Sequence, residues 1–217
     1  DECKKDRQTI LFSATLDDEV AELVRDYQKD PVTIHVGPEE VSIESMEHHF
    51  WLMPNSKKST ISSEIIRKCG RSIVFCRTRA GVDRVGDDLE YDGLGVETLH
   101  GGLSQRQRDG AMKRFQHGEC MALIATDVAA RGIDIEGVNC VIHYDPPENA
   151  KAYKHRSGRT ARGGASGIVI SLVQKPQKKS YGRIQREVGI KVEFKPPEFS
   201  DLPEFEVEFI APKRRQS

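Results

Sequence analysis

The sequence predicts an α/β fold built on a mostly parallel, doubly wound sheet with helices on both faces. Two observations carry this. Short β-branched runs alternate with segments of helical period along most of the chain, which is the signature of βαβ units. Three of the runs, Ile73-Val74-Phe75, Ala122-Leu123-Ile124-Ala125 and Ile168-Val169-Ile170, are wholly apolar, as strands covered on both faces must be.

Taken in order, Thr9 to Phe12 reads as a strand and Asp17 to Gln28 as a helix with Val20, Leu23, Val24 and Tyr27 on one stripe. Val32 to Val36 reads as a second strand, and Gly37-Pro38-Glu39-Glu40 then breaks the pattern as a linker would. A longer series follows. It comprises a strand at His49 to Met53, a helix at Ser56 to Lys68, a strand at Ser72 to Cys76, a helix at Ala80 to Tyr91 and a short strand at Val96 to Leu99. It continues with a helix at Ser104 to His117, strands at Met121 to Thr126 and Val138 to Tyr144, a helix at Ala150 to Ser157, a strand at Gly167 to Val173 and a helix at Gln177 to Val188. After Pro196-Pro197 the chain turns acidic and then basic, the composition of a loosely held tail.

Composition bounds the function. Charged residues make up 31% of the chain and no apolar run approaches the ~20 residues of a membrane span. The five cysteines are odd in number and form no C-x-x-C pair, and no signal peptide opens the sequence. A reducing cytoplasm without disulfides or a structural metal is expected. The start at Asp1 rather than Met reads as that of a piece of a longer protein.

The formal net charge of -1 conceals an asymmetry. From Ala150 to Arg186 there is no Asp or Glu, while Lys151, Lys154, Arg156, Arg159, Arg162, Lys175, Lys178, Lys179, Arg183 and Arg186 all fall inside. Most charge runs are solvated faces. A run with glycines and with arginines three apart is better suited to binding phosphate.

Ligands of an open parallel sheet bind where loops leave the carboxyl ends of strands. Three polar clusters fall at such places: Cys76-Arg77-Thr78-Arg79, His100-Gly101-Gly102-Leu103-Ser104-Gln105 and Thr126-Asp127. A single Ser or Thr at a helix start is ordinarily an N-cap, so the case rests on three clusters sharing one edge. Arg159 and Arg162, three apart at the end of a helical stretch, can point to one spot, and Gly158, Gly163 and Gly164 allow a ligand close to the backbone. The competing role for these arginines is ion pairing with Asp127 or Asp134.

Five segments together carry a family resemblance: S-A-T at Ser13 to Thr15, I-V-F-C-R-T at Ile73 to Thr78, H-G-G-L-S-Q-R-Q-R at His100 to Arg108, A-T-D-V-A-A-R-G-I-D-I at Ala125 to Ile135, and H-R-S-G-R-T-A-R-G-G at His155 to Gly164. In this order the chain resembles a DEAD-box ATP-dependent RNA helicase, in wording closest to bacterial members. Two departures are Ala161, where many members have glycine, and Ser157, where isoleucine is common. The resemblance implies a RecA-like fold and a division of the chain. Residues 1–37 would be the last elements of a first, ATP-binding domain, 38–46 the interdomain linker, 47–195 the second domain and 196–217 a tail.

The same resemblance implies site residues. Arg159 and Arg162 become arginine fingers on ATP, and Asp134 an acceptor for a ribose hydroxyl. Arg77, Thr78, Arg79, Gly101, Gly102, Gln105, Arg108 and Thr126 become RNA backbone contacts. Ser13, Thr15, His155 and Arg156 order their segments. No Gly-Lys dipeptide and no Asp-Glu-Ala-Asp run occurs, so the phosphate loop and the carboxylates for magnesium would belong to the absent part of the first domain. This chain alone is then expected to hydrolyse no ATP, and Leu11, Phe12, Leu16, Leu23 and Val24, deprived of their core, to form an apolar patch. With 6% aromatics, RNA would be read through its backbone without sequence preference. Two other functions fit the same residues: a non-catalytic RNA-binding or regulatory module, and half of a DNA helicase or translocase of the same superfamily.

Overall fold

The computed structural model describes residues 7–12, 18–34, 43–130, 135, 137–161 and 167–203. The chain divides into two compact units, Asp1–Glu39 and Glu40–Ser217. In the first, one helix, α1 (Asp18–Tyr27), is formed, and Gln28 Nε2 donates to the Thr9 carbonyl at 3.1 Å. The strands expected at Thr9 to Phe12 and Val32 to Val36 are not formed among the described residues. A strand exists only as part of a hydrogen-bonded ladder, and no neighbouring strand is described in this unit. Its apolar side chains are correspondingly bare: Phe12 is 92% exposed, and Ile10, Leu11, Leu23, Tyr27, Val32 and Ile34 are exposed as well. Leu16 lies outside the described residues.

The second unit holds a seven-stranded sheet of β1 (Glu47–Leu52), β2 (Ser72–Phe75), β3 (Val96–Leu99), β4 (Ala122–Ala125), β5 (Cys140–His143), β6 (Ile168–Val173) and β7 (Phe194–Lys195), in the order β3-β4-β2-β5-β6-β1-β7. Every pairing is parallel. The helices are α2 (Lys58–Cys69), α3 (Arg79–Tyr91), α4 (Gln105–Gln116), α5 (Asp127–Ala130), α6 (Ala150–Ser157) and α7 (Lys178–Val188).

Strand side chains alternate between two cores. Ile73, Phe75, Leu123, Val141 and Val169 join Phe115 of α4, Tyr153 of α6 and Tyr181 and Ile184 of α7. Val74, Ile124, Ile142 and Ile170 join Ile65 and Ile66 of α2 and Val82, Val85 and Leu89 of α3. This is the expected double winding. Gly86 matters to one layer, because a Cβ there would sit 2.8 Å from Thr98 Cγ2; its absence lets α3 lie close on β3.

Two elements were not expected. Asp127 to Ala130 makes a single helical turn after β4, and Phe194-Lys195 forms β7 by pairing with Phe50 and Trp51 of β1. Residues beyond Pro197, expected to be loosely held, are placed as far as 203. Phe199 packs edge-on to Trp51 with ring centroids 5.2 Å apart, Leu202 is buried, and Lys195 pairs with Asp201. Two apolar residues that find a ready surface on the Trp51 side outweigh the tail-like composition.

Of the four buried histidines, three, His48, His49 and His143, bear on how stability depends on pH. Burial holds all three below the ordinary imidazole range, His143 farthest, with Arg156 and His48 adding to its shift. His48 Nε2 lies 2.8 Å from the Ile43 carbonyl and so must carry the proton; its Nδ1 then accepts from the Tyr153 hydroxyl at 2.7 Å. Because the folded state holds these rings neutral, the unfolded chain binds more protons below its own imidazole pKa of about 6.5. Stability from this source is complete above that pH and is lost as pH falls from there towards the lower folded values. Urea midpoints are expected to drop between pH 7.5 and 5.5, and less so in His143→Gln; an equal drop in both proteins would assign the loss to other groups.

Candidate nucleotide and RNA half-site

β3, β4 and β2 are neighbours and parallel, so the three polar clusters leave the same edge of the sheet. After β2, Arg77, Thr78 and Arg79 are exposed. The Arg77 amide donates to Asp145 Oδ2 at 3.0 Å, and Thr78 Oγ1 caps α3 by accepting from Gly81 N at 3.0 Å. After β3, His100 is buried and acts as a brace. Its Nδ1 accepts from Gly102 N at 3.0 Å, so Nε2 is the protonated nitrogen and donates to Asp83 Oδ1 at 2.9 Å.

The Arg79 side chain lies over this second loop. A Cβ on Gly101 would come within 3.3 Å of an Arg79 Nη, and one on Gly102 within 3.0 Å of the His100 ring. Gly101 thus leaves room for the Arg79 guanidinium over this loop, and Gly102 for the His100 ring within it. Ser104 and Gln107 form a reciprocal capping box at the start of α4, with Gln105 exposed and its Nε2 bonded to Asp109 at 2.7 Å. Arg108, half-buried, points an Nη at the Ala129 carbonyl of α5 at 3.5 Å. Thr126 sits at the same edge but is only 9% exposed, and its amide donates to Leu99 O at 3.2 Å. The expected residues are thus brought together, with Thr126 the most covered.

Arg156 makes a buried, bidentate contact at this edge. Its guanidinium, 2% exposed, grips Asp127 through Nε at 2.6 Å and Nη2 at 2.7 Å, and Nη1 donates to the Asp145 carbonyl at 2.7 Å. It also stacks 5.2 Å from the centre of the Phe75 ring. Asp127 is therefore engaged by Arg156. Arg159, half-buried just beyond α6, donates from Nε to the His155 carbonyl at 3.2 Å.

The chain after Arg159 is tied to the sheet. Thr160 Oγ1 donates to Val138 O at 2.6 Å, with Asn139 O at 3.1 Å. Ala161 has φ 59°, the left-handed region where any Cβ costs about 1–2 kcal/mol. A glycine here would carry no such strain, which gives the departure noted at this position a conformational meaning. Gly167 packs against the turn so closely that a Cβ would lie 2.7 Å from that of Ala161. Ser13, Thr15, Asp134 and Arg162 lie outside the described residues.

Two residues of the edge were not singled out from the sequence. Asp145 binds the Arg77 amide through its carboxylate and Arg156 through its carbonyl; its placement directly after the apolar run of β5 was the available signal. Lys58 is fully buried at the start of α2, donates to the Tyr144 carbonyl, and lies 5.2 Å from that ring's centre. Burial lowers its pKa, opposed in part by Asp145. Burial likewise pushes the neighbouring Cys76 thiol up to about 12, so that thiol is not a nucleophile at neutral pH.

The family described as Helicase conserved C-terminal domain matches residues 56–164. ATP-dependent RNA helicase DbpA of Bacillus subtilis is 34% identical over 209 residues, which cover 95% of this chain and 44% of that protein. DEAD-box ATP-dependent RNA helicase 3A, chloroplastic, of Zea mays is 39% identical over 211 residues, covering 94% of this chain and 28% of that one. The chain thus spans less than half the length of these curated relatives, and they come from both a bacterium and a plant. Among solved structures, S. cerevisiae Dbp5 bound to RNA and ADP BeF3 superposes with a TM-score of 0.76 at 31% identity, covering 91% of this chain and 54% of that one. The parallel sheet is accordingly RecA-like, and the chain belongs to the DEAD-box ATP-dependent RNA helicases, whose conserved C-terminal domain it carries.

Proposed function

We propose that this chain is the second motor half of an ATP-dependent RNA helicase, supplying half of an RNA groove and the arginine fingers of a shared ATP site. One observation carries the reading: exposed Arg77, Thr78, Arg79, Gly101, Gly102 and Gln105 gather on neighbouring loops at the carboxyl edge of the sheet. They present amides, a hydroxyl and cations, the groups that bind phosphate oxygens without reading bases. That Dbp5 was solved with RNA and a nucleotide bound supports the same assignment here.

ATP fits the donor set beside this groove. Arg159 is permanently charged and oriented by its bond to the His155 carbonyl, and in this reading Arg159 and Arg162 face the phosphates while Asp134 accepts from the ribose. ATP supplies the anhydride bond that is cut. The guanidinium groups stabilise charge that builds on the transferring phosphoryl group. The Arg156–Asp127 ion pair ties α6 to α5, the turn after β4. Magnesium and the phosphate loop are assigned to the first domain, and this chain alone to no ATP turnover. A reducing compartment such as the cytoplasm suits its buried thiols Cys69, Cys76, Cys120 and Cys140.

The test is RNA binding by the chain itself. Single-stranded RNAs of unrelated sequence are expected to bind weakly and alike, with log K falling against log salt at ~0.7 per phosphate neutralised. Tight, salt-insensitive binding to one sequence would contradict backbone reading, and ATP turnover by the pure chain would contradict the division of labour between domains.

A further inference from the structure

We propose that exposed Lys175, in the 3-10 turn before α7, together with Lys179, Arg183 and Arg186 on α7, forms a second binding surface for the phosphate backbone of RNA, distinct from the loop edge. The inference rests on the RNA-binding reading above and extends it to a surface outside the half-site.

Lys179, Arg183 and Arg186 are spaced four and three residues apart, so they fall on one face of α7, and Lys175 opens the 3-10 turn that leads into it. The opposite face, Tyr181, Ile184, Gln185 and Val188, is buried. All four cations are exposed, and none meets a carboxylate among the described residues. Lys178, between them in sequence, turns aside to the Phe194 ring at 5.3 Å and does not belong to the stripe. Three like charges on one helical face, with a fourth in the turn before it, repel one another, so a surface of this kind gains from a polyanion.

A second observation concerns Gly182, which lies in the middle of the helix beside the stripe. Glycine there weakens a helix relative to alanine, and a Cβ at this position would meet nothing within 4 Å. Packing therefore does not require it. Its effect is to leave the backbone open between Lys179 and Arg183, where a phosphate can approach closely.

The chemistry of the surface favours a nucleic-acid backbone over a protein. No large apolar side chain is exposed on α7, whereas a protein interface depends on buried aromatic or aliphatic anchors and a membrane-surface helix on an exposed apolar face. Position favours RNA as well. α7 follows β6, which is two places from β2 in the sheet, so the helix starts about 10 Å along the sheet from the Arg77 loop. It then runs about 16 Å away from it, a path that RNA leaving the loop edge can follow.

The test compares the 217-residue chain with a quadruple variant, Lys175→Gln, Lys179→Gln, Arg183→Gln and Arg186→Gln, whose substitutions are exposed and helix-compatible. Each is titrated with an RNA too short to pass the loop edge and with one several times longer. The short RNA is expected to bind both proteins within about 2-fold, and the long RNA to lose about 10-fold or more in the variant, with its salt slope lower by ~2.8, four times ~0.7. A control with Lys175→Arg and Lys179→Arg keeps the charge and is expected to keep the affinity. An unchanged slope for the long RNA in the quadruple variant overturns this inference and leaves the half-site reading intact; failure of the wild-type chain to bind either RNA overturns that reading itself.

Discussion

Alanine in place of Arg162, in the intact RNA-stimulated ATPase proposed above, is expected to lower kcat by ~10³-fold or more while leaving RNA affinity without nucleotide nearly unchanged. A finger acts on charge that appears in the transition state, so its loss is felt in turnover and not in the binding of a ligand at another edge. The described chain before Arg162 ends with the Thr160 hydroxyl bonded to Val138 and Ala161 in a left-handed conformation against Gly167. Steady-state ATPase kinetics alongside RNA titration decide the matter. Equal losses in both would mark Arg162 as an RNA contact.

The second large effect is expected at the pair Arg156 and Asp127. Asp127→Ala leaves a guanidinium that is 2% exposed without its carboxylate, and breaking a buried pair from one side costs about 3–5 kcal/mol. Because Asp127 is itself 32% exposed and water can reach the vacated space, about 3 kcal/mol is expected, read as a shift in the urea midpoint at constant m. Adding Arg156→Met, which removes the stranded charge and keeps the contact with Phe75, is expected to recover part of the loss. A single-mutant cost below about 1 kcal/mol would show that the pair is effectively solvated.

Much of the second unit was legible in the sequence. The apolar runs of β2, β4 and β6 read directly as buried strands, and the helix expected at Ser104 to His117 forms as α4 (Gln105–Gln116). These features depend on residues within a turn or a strand of one another, where spacing alone decides which side chains share a face. The gathering of Arg77, Arg79, Gly101 and Gly102 followed from the same logic, since parallel strands put their following loops on one edge.

Other features were decided by what the tertiary structure placed beside them. The runs at Thr9 and Val32 have strand-like composition and form no strand among the described residues, whereas the two-residue β7 exists because Phe194 and Lys195 meet Phe50 and Trp51. Asp127 had several arginines available, and Arg156, 29 residues away, took it while Arg159 turned to the His155 carbonyl. Lys58, ordinary in its local sequence, is buried because Tyr144, 86 residues away, offers it a carbonyl and a ring. A ladder and a buried charge each need a partner to offset desolvation, and which residue is within reach is a property of strand order rather than of spacing along the chain.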